Sequence, residues 1–218
     1  MEYTTLGRTG LRVSRVGFGA LPIQRTELSR AIKILQSAFE YGINIFDTAR
    51  GYTDSEKKLG IAFKGKRDKI ILATKVHGQN KQEVISLLRE SLKQLKTDSV
   101  DILQLHNPGK LPNPDDESSA YAGLKEAQKK KMTRFIGITA HKLTNAKSAI
   151  ESGLYDVVQY PFSMLSSKEE LELIKLAKKH NIGLLAMKPL CGGILVDIKV
   201  SFAFLWQFEN LVPIWGIQ

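Results

Sequence analysis

Cysteine is nearly absent: Cys191 is the only one in 218 residues. No disulfide can form within the chain, and a reducing, cytoplasmic setting is the expected one. Also missing is any apolar run near the roughly 20 residues that a membrane helix needs, so no membrane partner is expected. The N-terminus, Met1-Glu2-Tyr3-Thr4-Thr5, has no basic stretch followed by an apolar one and does not read as a secretory signal. No linker or low-complexity tract divides the chain, so one domain over residues 1–218 is expected. Acidic residues are outnumbered, 22 against 32 Lys and Arg, for a net charge of +10. Such a balance can signal nucleic-acid binding through phosphate neutralisation. Here the lysines gather in short runs at expected helix ends, Lys129-Lys130-Lys131 and Lys178-Lys179, where they complement the helix dipole. The reading is therefore a solvated basic surface with no nucleic-acid partner, one that also attracts polyanionic ligands.

What the chain does have is alternation. Leu28, Ala31, Ile32, Leu35, Ala38 and Phe39 form one apolar stripe at a helical period, with Thr26 expected as its start cap and Gly42 as its end. A strand follows at 43–46, a short helix at 55–63 and a buried strand at 70–73. Asn80 with Glu83 resembles a capping box opening a helix with stripe Val84, Leu87, Leu88, Leu92, Leu95. The pattern then repeats: strand 100–103, helix 118–131, strand 135–138, helix 143–152 closed by Gly153, and strand 157–159. A helix capped by Ser166 and Glu169 runs to His180, then come strand 182–187, helix 200–208 and strand 211–215. Counted from Arg15-Val16-Gly17-Phe18, eight strands alternate with seven helices.

Such alternation means parallel strands with right-handed crossovers, and eight of them point to a closed (β/α)8 TIM barrel of the α/β class. An open doubly wound sheet would carry a Gly-rich turn after its first strand. The turn here, Gly17-Phe18-Gly19-Ala20-Leu21-Pro22, lacks a third glycine and soon meets proline. Residues 3–13, with Thr9-Gly10 in the middle, read as an N-terminal β-hairpin able to cover the barrel bottom. No eighth helix follows before Gln218, so a barrel truncated after its eighth strand is expected.

Chemistry in such barrels gathers at the C-terminal strand ends. The polar residues expected there are Asp47, Lys75, His106, Thr139, His141, Gln159 and Lys188, with Tyr52 five residues past Asp47. Asp101, at the start of its strand, is expected to be structural. At these positions the chain resembles the aldo-keto reductase family. Ile45-Phe46-Asp47-Thr48-Ala49-Arg50-Gly51-Tyr52 is similar to its Asp-Thr-Ala…Tyr signature, Leu72-Ala73-Thr74-Lys75-Val76 to its lysine strand, and Val100-Asp101-Ile102-Leu103-Gln104-Leu105-His106 to its histidine strand. The opening Leu6-Gly7-Arg8-Thr9-Gly10-Leu11-Arg12-Val13-Ser14 resembles the family's start, and the likeness spans Tyr3 to Gly216.

The resemblance implies a nicotinamide-dependent reductase of aldehydes or ketones with Asp47, Tyr52, Lys75 and His106 as catalytic residues. A tyrosine donates a proton, with an unperturbed pKa of about 10. A neighbouring lysine ammonium is expected to lower it toward working pH, with Asp47 holding Lys75 charged and His106 bonding the substrate carbonyl. The resemblance also implies a cofactor set of Gly19, Asp47, Thr139, Gln159, Met187, Lys188, Pro189, Leu190, Gly192 and Gly216. In it Gln159 meets the nicotinamide carboxamide. Thr139 stands where the family often has serine, within Gly137-Ile138-Thr139-Ala140-His141, without the usual asparagine. Met187 stands where it often stacks a tyrosine. Leu190-Cys191-Gly192-Gly193 resembles the pyrophosphate loop, and Gly216 is expected to begin the loop after the last strand. NADPH is the expected cofactor, with NADH as the alternative; the partner is a small carbonyl compound, and no metal is expected. The Met187-Lys188-Pro189-Leu190 form resembles a branch whose longer members carry an iron–sulfur segment, for which one cysteine is too few. The competing reading on the same fold is a non-catalytic, cofactor-binding regulatory or sensor subunit. Oligomeric state is open.

Overall fold

A computed structural model describes residues 1–216. Two short strands, β1 (Tyr3–Thr5) and β2 (Arg12–Ser14), pair antiparallel, with Tyr3 opposite Ser14. Eight further strands follow: β3 (Gly17–Gly19), β4 (Ile45–Asp47), β5 (Ile71–Val76), β6 (Val100–Leu105), β7 (Thr133–Thr139), β8 (Val157–Pro161), β9 (Gly183–Met187) and β10 (Leu211–Gly216). All are parallel and close into a barrel, β10 pairing with both β9 and β3. Between them run α1 (Leu28–Glu40), α2 (Ser55–Ala62), α3 (Lys81–Leu95), α4 (Ala120–Lys129), α5 (Leu143–Ser152), α6 (Lys168–Lys179) and α7 (Ile198–Trp206). The TIM barrel and its N-terminal hairpin are as the alternation implies. The expected absence of an eighth helix beyond Gln218 lies outside the described residues. Among the described residues no helix is long and apolar enough to cross a membrane.

Local chemistry sets the helix ends. Asn80 Oδ1 accepts from the Glu83 amide at 3.0 Å, and Glu83 answers by accepting from the Gln79 amide. The expected cap of α6 shifts by one residue: Ser167 and Glu170 form the reciprocal box. Ser166 is spent on the preceding turn, where its hydroxyl accepts from the Ser163 amide at 3.2 Å. Thr26 likewise does not cap α1. Its amide closes the turn Pro22–Arg25, and Glu27 takes the cap position without a side-chain bond. Gly42 ends α1 as expected, with a φ of 90° that a Cβ would strain.

Two apolar layers result. The outer one lies between strands and helices, and α3 contributes Val84, Ile85, Leu88, Leu92 and Leu95 to it. The inner one fills the lower barrel with Ile45, Ala73, Ile102, Val157, Leu185 and Val212. Leu6, Leu11 and Val13 of the hairpin segment plug it from below, burying side chains worth about 1.5–3 kcal/mol each. Gly7 allows this closure: its φ is 49°, and a Cβ would collide with the Gly183 backbone. Asp101 braces the same end, accepting from the Leu72 amide at 3.0 Å and pairing with Arg67 and Arg134, both at 2.8 Å. Its structural role is thus visible.

Candidate active site

Side chains alternate along a strand, so residue i+2 shares the face of residue i, one layer higher. Two residues beyond the apolar Ile45, Ala73, Ile102 and Val157 stand Asp47, Lys75, Gln104 and Gln159. The barrel's lower interior is apolar and its next layer polar, by the same strands and the same geometry. Strand pairing sets Lys75 beside Gln104 and Ala73 beside Asp47. Gly137 leaves room for Gln104, since a Cβ there would stand 3.1 Å from Gln104 Cγ.

The centre of this layer is an ion pair. Lys75 Nζ donates to Asp47 Oδ2 at 2.5 Å and to the Thr48 carbonyl at 2.7 Å. Both side chains are almost wholly buried, 2% and 5% exposed. Asp47 also accepts from Gln104 Nε2 at 3.3 Å and Gln159 Nε2 at 3.4 Å. A buried ion of either sign is costly unless paired and hydrogen-bonded; here each ion satisfies the other. The carbonyl oxygens Gln104 Oε1 and Gln159 Oε1 are left buried without a partner.

Tyr52 and His106 lie over this pair. Lys75 Nζ is 5.1 Å from the centre of the Tyr52 ring. The Tyr52 and His106 rings meet edge to face, centroids 5.8 Å apart at 82°. His77 stacks on the other side of His106, at 4.2 Å and 19°. The expected acidification of Tyr52 does not hold in the site as it stands. Burial raises its pKa above the ordinary value; the Lys75 charge and a hydrogen bond from Lys75 pull it down, Asp47 pushes it up, and burial dominates. His106 moves the other way, to about 3, chiefly through burial and then through the positive charge of Lys75 and the neighbouring His77 and His141. At neutral pH it is therefore an uncharged imidazole. Its Nδ1 is buried and unpartnered.

The remaining cofactor candidates lie on the neighbouring arc of the rim. Thr139 ends β7, and its hydroxyl oxygen accepts from the Asn107 amide at 2.8 Å, leaving its O–H free to donate. Asn107 in turn accepts from the His141 amide at 3.0 Å. Met187 ends β9 half-buried, followed by exposed Lys188, buried Pro189, half-buried Leu190 and exposed Gly192. Lys188, Cys191, Gly192 and Gly193 all have positive φ, which winds this segment into a tight turn. Two expectations need correction. Lys75 lies inside β5 rather than after it, because the ladder to β6 continues through Val76. Gly216 does not open a loop: it pairs with Gly19 as the last residue of β10. Among the described residues no cluster of His, Cys, Asp or Glu is arranged to hold a metal.

Three features were not anticipated. Gln104 had a signal, since it shares the period-two face with Ile102. His77 had only its position next to the lysine strand. The third is Glu56, 1% exposed, which accepts from Thr74 Oγ1 at 2.7 Å and pairs with Arg50 at 2.5 Å. It ties the turn carrying Tyr52 to the strand carrying Lys75, a contact visible only in three dimensions.

Comparison with known proteins identifies the family. The model of the aldo/keto reductase family matches residues 15–201. Aldo-keto reductase YhdN of Bacillus subtilis is 29% identical over 230 residues, covering 97% of this chain and 68% of that protein. L-galactose dehydrogenase of Arabidopsis thaliana is 33% identical over 217 residues, covering 90% of this chain and 68% of that one. The chain thus spans about two thirds of the length of these relatives. An aldo/keto reductase from Klebsiella pneumoniae, solved in complex with NADP and acetate, superposes with a TM-score of 0.82 at 20% identity, covering 99% of this chain and 84% of that one. The chain belongs to the aldo/keto reductase family, and with it to the NAD(P)H-dependent oxidoreductases.

Proposed function

We propose that this protein reduces small aldehydes or ketones to alcohols, with NADPH as its cofactor and NADH as the alternative, and with Tyr52 as the proton donor. The observation that carries this reading is the buried Lys75–Asp47 pair set against the Tyr52 ring and flanked by His106. Burial keeps the Tyr52 phenol protonated in the resting site, so the donor is loaded at neutral pH. The Lys75 ammonium favours the phenolate that remains once the proton has left. Asp47 orients Lys75 through their buried hydrogen bond.

His106 is neutral, so it offers a hydrogen bond to the substrate oxygen without adding a charge. Its buried Nδ1 is best read as the bare lone pair, since an orphaned N–H is the costlier group to bury. That assigns the proton to Nε2. Tyr52 and His106 together would hold the carbonyl oxygen in place, and positioning of this kind supplies much of the rate.

The cofactor, when bound, supplies the hydride. The residues fit it: Gln159 Oε1 is a buried acceptor without a partner, suited to an amide N–H such as that of a carboxamide. Thr139 has a free donor beside it, Met187 presents a polarizable side chain, and residues 188–193 form a turn open to phosphate oxygens. Gly19 keeps the floor between β3 and β10 low, since a Cβ would stand 2.9 Å from Ile214 Cγ2.

The test is Tyr52→Phe, assayed by NADPH consumption over a panel of aldehydes. Loss of the donor should lower kcat/KM by at least about 100-fold, while cofactor affinity by fluorescence titration stays within about twofold. A variant within about threefold of the parent rate defeats the assignment of Tyr52. Tight cofactor binding by a parent chain that turns over no carbonyl would leave only a cofactor-binding sensor on this fold.

A further inference from the structure

Beside His106, the loops after β5 and β6 bound a cleft of about 590 Å³, a size typical of small-molecule sites. Val76, Leu105 and Ala120 contribute apolar lining, while His77, Gln79, Asn107 and Lys110 supply polar groups. No carboxylate is among its lining residues. Glu83, which reaches the lining residue Gln79, is already committed to the start of α3, accepting from the Gln79 amide and from Asn80 Nδ2, both at 2.8 Å. At the barrel mouth Asp47 is paired with Lys75, and Asp115, Asp116 and Glu117 lie further along the loop after β6, outside the cleft lining. The candidate cofactor residues lie on β3, β4 and β7 to β10 and the turn after β9, and none of them lines this cleft, although Thr139 adjoins it through the Asn107 amide.

We infer that this cleft receives the far end of the substrate and selects carbonyl compounds that carry an anionic group, a carboxylate in particular, through Lys110 and His77. The inference rests on the reductase reading above and adds the substrate class. His77 is stacked at 4.2 Å on His106, so an anion held by His77 lies one ring away from the imidazole that meets the carbonyl. Lys110 offers a full positive charge on the opposite loop, Gln79 and Asn107 offer amide donors, and no opposing acid lines the cleft. His106 beside them is kept uncharged chiefly by burial and then by the Lys75 ammonium, so it adds no repulsion of its own toward the substrate oxygen. A neutral substrate would leave this polar wall without a partner of matching charge.

The experiment uses the chain with NADPH and two aldehydes of one shape: 4-formylbenzoate and its neutral methyl ester. The acid should show a kcat/KM about tenfold or more above the ester at about 10 mM salt, mainly through KM, and the ratio should shrink at about 300 mM salt. Lys110→Glu should bring the ratio to one or below, and His77→Gln should lower it. Terephthalate, which cannot be reduced, should bind and perturb the NMR resonances of residues 77–79 and 107–110. A ratio near one in the parent, or one untouched by Lys110→Glu, overturns the inference while leaving the reductase reading intact. Reduction of neither aldehyde, with terephthalate still bound at those residues, keeps the anion site and overturns the reductase reading. Absence of both turnover and terephthalate binding overturns the two together.

Discussion

Replacing Lys75 by methionine strips the cation from a carboxylate that cannot reach water. Asp47 is 3% exposed. With Lys75 gone it keeps only two neutral amide donors, Gln104 at 3.3 Å and Gln159 at 3.4 Å, both near the long limit for a hydrogen bond. Removing one member of a buried ion pair costs about 3–5 kcal/mol, because the other charge stays behind unpaired. For a chain of this length each kcal/mol moves Tm by about 2–4 °C, so Lys75→Met should melt about 6–20 °C below the parent. Adding Asp47→Asn removes the stranded charge and lets an amide face the two glutamines. The double variant should recover at least about 2 kcal/mol over Lys75→Met, a coupling expected only for groups in contact. Urea denaturation of parent, both single variants and the double variant measures this. A loss below about 1 kcal/mol for Lys75→Met, or a double variant no more stable than that single one, would refute the picture of one charge sustaining the other.

Two further expectations concern stability. His106 holds its proton only below about 3 in the fold, against about 6.5 in an unfolded chain. Between those values the unfolded state binds a proton that the folded state refuses, so His106 makes stability fall as pH drops from about 6.5 toward about 3. His106→Gln, which cannot titrate, should lose less stability than the parent between pH 7 and pH 4.5; parallel denaturation profiles would sink this account. At Gly60 two effects compete: alanine gains about 1 kcal/mol of helix propensity, but its Cβ would sit 2.6 Å from the Gln94 carbonyl oxygen where α2 crosses the end of α3. The backbone cannot yield cheaply, so overpacking should win and Gly60→Ala should lower stability by about 1–2 kcal/mol. A thermal melt at or above the parent's would show that the helices can part.

Much of the fold was legible in the chain because strand and helix periods are written in local apolar spacing. The stripe of α3, the Gly42 and Gly153 stops and the eight-strand alternation need no knowledge of what lies across the barrel. Precise ends were less legible. Ser166 and Ser167 are both adequate caps, and only the turn that engages Ser166 decides between them. Strand β5 runs through Lys75 because β6 continues alongside it, a partner that a reading of residues 70–73 alone cannot supply.

The residue types of the site, with Asp47, Tyr52, Lys75 and His106 each at or near a strand end, were likewise set by the amino-acid order. Barrel closure decided the rest. It brought Gln104 and Gln159 onto Asp47, sent Glu56 to join Arg50 to Thr74, and stacked His77 on His106. It also determined that burial outweighs Lys75 in setting the acidity of Tyr52. Periodicity is a short-range property of covalent geometry, whereas desolvation and ion pairing depend on which distant side chains exclude water from one another, and only the closed barrel specifies those neighbours.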